Sequence, residues 1–475
     1  MTKIAKKGDN IFKGVDWRQA LRNLINFFNE YLFGVGVPVL LIFAGLFFCF
    51  KLNFFHFLHP LKIIKALKPE SSKSGVSSFG AMSLALAGTL GVGNMVGVAS
   101  AIALGGFGAI FWMWVSAVVA MILKYAEIVL AMRHRRFDSE GKPYGAAMYY
   151  INDALGKGRL GKIIASVFAC LCIFNAVSMG GMIQVNSAAN AINGVFGIPH
   201  IIIGIIFGLI TVWTAIKGRD GILSVTEKLV PFMTVGFLLL SLAVIFIYPQ
   251  KTLNAFSLIF KNAFTVKSGV AGVLGFLLSS SLRYGTMRGI LSNEAGCGTA
   301  PAAHSVSSCK IPAKQGAWGI FEVFVDTILL CTLTAIVIIV GFDGVNPNGD
   351  FMMMTVNAYT YLLGDFSGYF IAVAVLLFGL ATVLCWAHYG IVSVKYLTKG
   401  KLAIFVFIAV YSIAVCLGSI ISSTVIWDGA DFSIGAMTLI NVAILIKLSG
   451  EVKSETENYF GVSKSKEKKN QSFKK

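Results

Sequence analysis

Residues 88–99 read GTLGVGNMVGVA and lie within a stretch, from Phe79 to Leu123, that contains no charged residue. An uncharged stretch of this length predicts a membrane-spanning helix, since a span needs roughly 20 mainly apolar residues. Its middle nevertheless carries three glycines in six positions, followed by Asn94. A glycine costs a helix interior about 1 kcal/mol relative to alanine, and an unpaired amide in hydrocarbon is costlier still. We therefore predict that the helix is broken here.

The composition predicts that most of the chain lies within a membrane. Of its 475 residues, 56% are hydrophobic and 13% are charged, and its mean hydropathy is +0.77. These values predict an all-α membrane protein of about eleven transmembrane helices. The predicted spans are 34–50, 80–104, 106–131, 163–195, 199–216, 224–247, 269–291, 316–341, 367–390, 402–424 and 431–447. Residues 1–33 are polar and basic with apolar residues at interfacial-helix spacing, so we expect an N-terminal arm on the membrane surface rather than a signal peptide.

The net charge of +18 does not indicate nucleic-acid binding, because the basic residues fall in alternate loops. The loops 196–200, 342–366 and 425–430 contain no lysine or arginine. This asymmetry predicts that the loops rich in lysine and arginine face the cytoplasm. We expect a single transporter domain over 34–450, followed by a disordered, basic, cytoplasmic tail over 451–475 that contacts anionic lipid.

The eight cysteines and six histidines form no motif with metal-ligand spacing. No pair of cysteines makes a CxxC, and the histidines are scattered. We therefore predict buried free thiols, no cofactor and no metal beyond a transported ion.

Glycine interruptions concentrate in the second and seventh predicted spans, the latter reading RYGTMRGILSNEAGCGTAP over 283–301. These spans are five apart, so they cross the membrane in opposite directions. Two five-helix units that begin with them, at about 80–247 and 269–447, would be inverted repeats, and paired broken spans indicate a transporter's binding site. A break exposes N–H groups for an anion and C=O groups for a cation.

Two other interpretations of GVGNMVG compete with a binding site. The glycine spacing is not that of a dinucleotide loop, and no acidic residue follows about 20 positions later. Gly93 and Gly97 also form a GxxxG, a motif of close helix packing in membranes. Packing alone would leave the polar side chain of Asn94 unexplained.

The stretches Gly88–Glu127 and Arg283–His304, with MIQVNSAAN (182–190), EKLVPFM (227–233) and VDTILLCTLTAIVI (325–338), resemble the alanine or glycine:cation symporter family. The resemblance covers nearly all of the span-bearing chain. It implies the leucine-transporter fold, with one extra N-terminal helix before a five-plus-five inverted repeat. It also implies sodium-coupled carriage of a small neutral amino acid.

By motif match, the resemblance puts the substrate site on residues of four spans. These are Gly91, Gly93 and Asn94 of the second span, Gln184 of the fourth, Gly289 and Asn293 of the seventh, and Thr382 and Trp386 of the ninth. The amides suit a ligand that is neutral overall, and Trp386 should exclude large side chains. The ion would bind near Leu90, Gly93 and Thr382.

Two departures from the family pattern affect the ion rather than the amino acid. The usual G-T-G-N is Gly91-Val92-Gly93-Asn94 here, and the usual Ser-Thr pair is Ala381-Thr382. Each departure removes a hydroxyl that could bind a cation.

Ionisable residues inside spans are costly and usually functional. We predict a local ion pair between Lys124 and Glu127. Glu322 and Asp326 lie four apart and need a cation or a proton. Arg283 or Arg288 could supply the positive charge, and we favour that structural network over direct coordination of the transported cation. We expect Glu294 to brace the inner gate.

We read the chain as a monomeric symporter of the bacterial or archaeal inner membrane, importing alanine, glycine or a similar amino acid with sodium. A proton-coupled carrier is the first alternative, with Asp326 and Glu322 as proton carriers. A membrane enzyme that uses Asp326, Glu322 and Glu294 is the second, and a channel the third. No catalytic triad or repeated filter segment supports the last two.

Overall fold

The computed structural model describes residues 36–68, 75–156, 158–264, 280–347, 349–421 and 423–461. The first helices are α1 (Val37–Lys51), α2 (Phe55–Leu58), α3 (Pro60–Ala66), α4 (Ser78–Thr89), α5 (Val98–Gly105), α6 (Ala109–Arg133), α7 (Ala147–Ala154), α8 (Arg159–Asn175), α9 (Gln184–Phe196), α10 (His200–Ile216), α11 (Gly218–Ile247) and α12 (Pro249–Ala263). The rest are α13 (Ser280–Asn293), α14 (Ala300–His304), α15 (Pro312–Val323), α16 (Thr332–Gly341), α17 (Phe351–Leu363), α18 (Asp365–Leu397), α19 (Lys401–Gly418), α20 (Ser423–Lys447) and α21 (Ser449–Phe460). Strands β1 (Arg136–Phe137) and β2 (Pro143–Tyr144) pair antiparallel.

In the described part of the chain, three spans contain a complete π-helical segment. These segments are Gly93–Gly97, which runs into α5, Ala176–Ile183, which joins α8 to α9, and Phe324–Cys331, which joins α15 to α16. A π-helical turn misaligns the ordinary hydrogen-bond ladder and is frequent at functional sites. Nothing in the composition of these segments predicted them.

Among the described residues, seven helices are long and apolar enough to cross a membrane. The bent pair Ser78–Thr89 and Gly93–Gly105 makes an eighth, with an angle of 53° between its halves. Helices α1 and α10 are apolar but shorter. The predicted number of eleven spans therefore stays a prediction, whereas the predicted break in the second span is confirmed.

A second break follows the end of the seventh predicted span, whereas Gly285 and Gly289 lie inside the continuous helix α13. Helix α13 ends at Asn293, and the chain becomes helical again at Ala300. Between them, Gly296 and Gly298 have φ values of +87° and +81°, a region that glycine adopts without steric cost. Glu294 has φ +53° without being glycine, so its side chain is held by the surrounding structure.

Helix α6 positions the second broken element. It packs along both α13 and α15. Added Cβ atoms on Gly285 and Gly289 would overlap the backbone of Ala109 and the side chain of Ser116. The glycines of α13 therefore permit a close approach to α6.

One predicted segment boundary differs from the structure. The tail was expected to be disordered from Glu451, but Ser449–Phe460 form helix α21. Val452, Thr456 and Phe460 recur every four residues and are buried, so α21 packs through an apolar stripe. The predicted arm at 1–33, the end of the tail at 462–475 and residues 269–279 lie outside the described residues.

Candidate transport site

The break in the second span frees backbone carbonyls. In a continuous helix, the N–H groups of Gly91 and Val92 would donate to the carbonyls of Ala87 and Gly88. Instead, Gly91 N–H donates to the carbonyl of Thr89 (2.8 Å), and Val92 N–H donates to Oε1 of Gln184 (3.0 Å). The carbonyls of Ala87 and Gly88 thereby lose their helical donors at the centre of the protein.

Gln184 and Thr382 hold this break from two other spans. Gln184 accepts from the Val92 N–H and donates through Nε2 to the carbonyl of Met179 (3.2 Å). A Cβ atom added to Gly91 would lie 2.5 Å from Oε1 of Gln184 and 2.7 Å from Oγ1 of Thr382. Only glycine leaves room for both side chains at this position.

The Thr382 hydroxyl lies against carbonyl oxygens. It is 2.8 Å from the carbonyl of Ala87 and 3.0 Å from that of Phe378 in its own helix. The predicted ion site joined Thr382 to Leu90 and Gly93, whereas the Thr382 hydroxyl contacts the carbonyls of Ala87 and Phe378. Contact of Leu90, Gly93 and Thr382 with the ion stays a prediction.

A second polar cluster surrounds Asn94. Its Nδ2 lies 2.8 Å from Oδ1 of Asp326, 3.0 Å from the Asp326 carbonyl, 3.3 Å from Oγ of Ser292 and 3.5 Å from Sγ of Cys331. Three spans thus contribute to one position. The side-chain carbonyl of Asn94 has no hydrogen-bond partner among the described residues, although Asn94 is only 5% exposed.

Asp326 is a fully buried carboxylate whose direct partners are neutral. Its Oδ2 accepts from the hydroxyls of Ser292 (2.7 Å) and Thr327 (2.8 Å), and its Oδ1 accepts from Asn94. No cationic side chain in the described part of the chain forms an ion pair with it. A buried charge without a countercharge is costly, so this position favours binding of a cation or a proton.

Lys124 and Glu322 form the buried ion pair that braces the second break. Lys124 Nζ lies 2.9 Å from Oε1 of Glu322 and donates to the carbonyl of Asn293 at the end of α13 (2.8 Å). The predicted pairing of Lys124 with Glu127 is wrong, since Glu127 instead accepts from the N–H of Gly298 (2.8 Å). The positive charge for Glu322 likewise comes from Lys124 rather than from an arginine of α13.

The hydrogen bonds around His304 define its tautomer. Gln315 accepts from Ser307 through Oε1 (3.0 Å), so its Nε2 is the donor to Nδ1 of His304 (2.9 Å). Nε2 of His304 then carries the proton and donates to Oε2 of Glu322 (3.0 Å). A neutral histidine therefore completes the brace from α14, on the far side of the break.

Two further predicted residues, Asn293 and Gly289, make contacts within the protein. Asn293 braces the break: its Nδ2 donates to the Gly289 carbonyl (2.8 Å) and to Thr327 (3.1 Å). Gly289 packs against Ser116 of α6. Both residues therefore have a structural role. Their predicted contact with the substrate stays a prediction.

Trp386 is fully buried against Gly180 of the second π-helical segment. An added Cβ on Gly180 would overlap the Trp386 ring, and the indole packs edge-on against Tyr389 (5.3 Å between centroids). Its Nε1 has no hydrogen-bond partner among the described residues. Trp386 therefore retains an unused donor in the core.

A small cavity of about 10 Å³, room for about one water molecule, adjoins the first break. It is lined by Leu90, Gly91, Asn94, Met95, Phe237, Leu330 and Phe378. Three of these residues were predicted for the site. The aromatic residues in the wall are Phe237 and Phe378, which the sequence analysis missed because phenylalanine is common in any span.

The structure also decides how Gly93 and Gly97 are used. An added Cβ on Gly97 would meet nothing within 4 Å, and one on Gly93 would meet only the Cα of Ser292 at 3.9 Å. A GxxxG packing motif places backbones in close contact, so packing does not account for these glycines.

A family model described as the sodium:alanine symporter family matches residues 18–475. The chain belongs to this family. The sodium/alanine symporter AgcS of Methanococcus maripaludis is 35% identical over 94% of this chain and 99% of AgcS. YrbD of Bacillus subtilis, described as a putative sodium/proton-dependent alanine carrier protein, is 32% identical over 87% of this chain and 88% of YrbD.

Comparison with solved structures supports the predicted fold. MhsT, solved in complex with L-phenylalanine, is 13% identical and has a TM-score of 0.51, over 82% of this chain and 93% of that one. This likeness shows the leucine-transporter fold alone. The family model and the similarity to AgcS confirm the resemblance drawn from the motifs, and this member of the family is a multi-pass membrane protein with a transporter fold.

Proposed function

We propose that this chain imports alanine, glycine or a similarly small neutral amino acid together with sodium, by alternating access. It would do so in the cytoplasmic membrane of a bacterium or archaeon, with its C-terminus in the cytoplasm. Membership of the sodium:alanine symporter family supports this proposal, as does the similarity to AgcS. Both also argue against the membrane-enzyme alternative.

The buried carboxylate of Asp326 is the main support for the ion-coupling part of the proposal. Its carboxylate is fully buried, and its side-chain partners are two hydroxyls and an amide. A sodium ion prefers several oxygen ligands, and a carboxylate supplies the matching charge. A cation bound here would neutralise a buried carboxylate that Lys124, already paired with Glu322, does not contact.

The Asn94 amide supports a cation at this position by its own geometry. Its two hydrogens face four acceptors within 3.5 Å, so the nitrogen lies where acceptors converge. Rotation of the amide would present Oδ1 instead, beside the oxygens of Asp326 and Ser292. Four oxygens would then face one point, with the negative charge of Asp326 among them.

The amino acid would bind at the first break, beside this cation. The small cavity adjoins Gly91 and Asn94, and the second half of the span begins at Gly93, where backbone N–H groups attract a carboxylate. Rotation of the Asn94 amide turns Nδ2 to the position that the unpartnered Oδ1 now holds, where it is a further donor to the carboxylate. The walls of Phe237 and Phe378 limit the side chain to a small size.

A large polar cavity offers the release route on the side predicted to be cytoplasmic. Its volume is about 990 Å³, and Ser77, Arg135, Asp220, Glu227 and Ser307 are among the residues that line it. These residues flank the inner ends of both broken elements, because Ser308 N–H donates to the carbonyl of Val76 there (2.8 Å). Separation of these two segments would connect the breaks to this cavity.

Proton coupling is the alternative that Asp326 also favours. A protonated carboxyl would remove the same buried charge without any metal ion. Sodium is preferred because the acceptors converge on one point, which a proton held by the carboxyl alone would not require.

Uptake of labelled alanine into proteoliposomes tests the proposal. We expect an inward sodium gradient at equal pH to drive accumulation above equilibrium, with alanine recovered unchanged. A proton gradient without sodium should not drive it. Accumulation driven by the proton gradient alone would overturn sodium coupling, and chemical conversion of the alanine would overturn transport.

A further inference from the structure

The proposed cation site contains one atom that does not suit sodium. Sγ of Cys331 lies 3.5 Å from the Asn94 Nδ2 and 3.3 Å from the Ser292 hydroxyl, and Cys331 is fully buried. The carbonyl of Asn94 beside it is buried and has no hydrogen-bond partner in the described part of the chain. The thiol therefore faces the same point as the oxygens of Asp326 and Ser292.

Sulfur and oxygen ligands prefer different cations. Thiolate sulfur selects soft ions, whereas carboxylate and carbonyl oxygens suit hard ones. Sodium is a hard monovalent cation, and silver(I) is a soft one of the same charge. A site of four oxygens and one sulfur would accept sodium through the oxygens and silver through the sulfur.

We propose that Cys331 gives the cation site a second ligand class, soft monovalent cations, which bind there in competition with sodium and block transport. This inference rests on the proposed function. In the step that binds silver, the S–H bond of Cys331 breaks, its proton passes to water, and an S–Ag bond forms. Silver remains in the +1 state, so no oxidant or reductant takes part.

The carboxylate of Asp326 makes this thiol different from the other cysteines. Asn94 and Ser292, which both contact the Cys331 thiol, also hydrogen bond to the Asp326 carboxylate. This carboxylate offers an ion bound to the thiol a second ligand and a countercharge. Cys172, in α8, is also buried, but it contributes to no such group of acceptors among the described residues. Cys172 is therefore a suitable control thiol.

The experiment measures inhibition of labelled alanine uptake by silver nitrate in chloride-free proteoliposomes, at several sodium concentrations. Wild-type protein, Cys331→Ser, Cys331→Ala and Cys172→Ser are compared. We expect the silver concentration for half inhibition to rise by about tenfold or more in both Cys331 variants, which is about 1.4 kcal/mol of lost binding. Cys172→Ser should match the wild type, and raising sodium should relieve the inhibition.

Two results would overturn the inference. One is equal sensitivity to silver in wild type and both Cys331 variants, which would place the block at another thiol. The other is inhibition that sodium does not relieve, which would separate the silver site from the sodium site. Either result leaves sodium-driven uptake without silver intact, whereas uptake indifferent to sodium would refute the proposed function itself.

Discussion

Gly91 shows how one absent side chain sets the geometry of the break. Its Cα faces Gln184 from one span and Thr382 from another, and each would lie under 3 Å from a Cβ atom. Both polar groups also bond to the broken segment, Gln184 through Val92 and Thr382 through Ala87. A methyl group at this position would push both away together.

We therefore expect Gly91→Ala to abolish alanine uptake while the protein still inserts in the membrane. Gly97→Ala is the matched control, because its Cβ would meet nothing within 4 Å. Uptake by the two variants, normalised to the amount of purified protein, checks this. Equal uptake by Gly91→Ala and Gly97→Ala would show that the close approach at Gly91 is not needed for transport.

Substrate size should be controlled at the cavity wall rather than at Trp386. Phe378 lines the cavity, whereas Trp386 packs on Gly180. Phe378→Ala should therefore let leucine compete with alanine for uptake, and Trp386→Ala should do so less. Competition assays with excess unlabelled leucine measure this. If Phe378→Ala still rejects leucine and Trp386→Ala accepts it, the side chain that limits substrate size is Trp386.

At the scale of elements, each π-helical segment lies where a span supplies the site. Asn94 lies in the first segment and Asp326 in the third, and Gln184 follows the second directly. The glycines indicated both breaks, because glycine is unfavourable in a helix interior. The π-helical segments carry no comparable signal, so their position depends on packing between spans and could not be read from the sequence.

Pairings between distant elements show the same limit. Lys124 was paired with Glu127 because residues three apart share a helix face, but its partner is Glu322 on α15. Ser292 and Cys331 were missed because a lone serine or cysteine in a span usually has a packing role. Their meaning appears only when α13 and the third π-helical segment meet at Asn94.

Helix α21 is an element that the sequence could have revealed. The spacing of Val452, Thr456 and Phe460 is helical, although the charged residues between them suggested disorder. In the structure, Phe460 packs on Phe55 (5.2 Å between centroids), and Tyr125 hydrogen bonds to Thr456 (2.8 Å). Helix α21 is therefore anchored to α2 and α6.

Removal of this anchor should destabilise the protein. Phe460→Ala deletes a buried ring, a change that costs about 3–5 kcal/mol in protein cores, so we expect a lower unfolding temperature in detergent. Tyr459→Ala removes the neighbouring ring, which is 36% exposed, and should have a smaller effect. Thermal unfolding of both variants checks this, and equal shifts would show that α21 is not anchored through Phe460.

For the whole molecule, the two broken elements and the helices around them form one coupled unit. Asn94 follows the first break, and Lys124 braces the second at Asn293. Asp326 and Glu322 lie one turn apart on the span 312–341, where Asp326 contacts Asn94 and Glu322 contacts Lys124. A cation at Asp326 would therefore contact the first broken element directly and the brace of the second through a single helical turn. This arrangement can link ion binding to movement of both breaks.

The most direct test of this account is a sodium titration of alanine uptake by wild type and Asp326→Asn. Asp343→Asn is the control, since Asp343 is an exposed carboxylate that pairs with Lys251. We predict that Asp326→Asn loses sodium stimulation or needs about tenfold more sodium for half-maximal uptake, while Asp343→Asn matches the wild type. An Asp326→Asn protein with the wild-type sodium dependence would contradict the claim that this buried carboxylate binds the coupling ion.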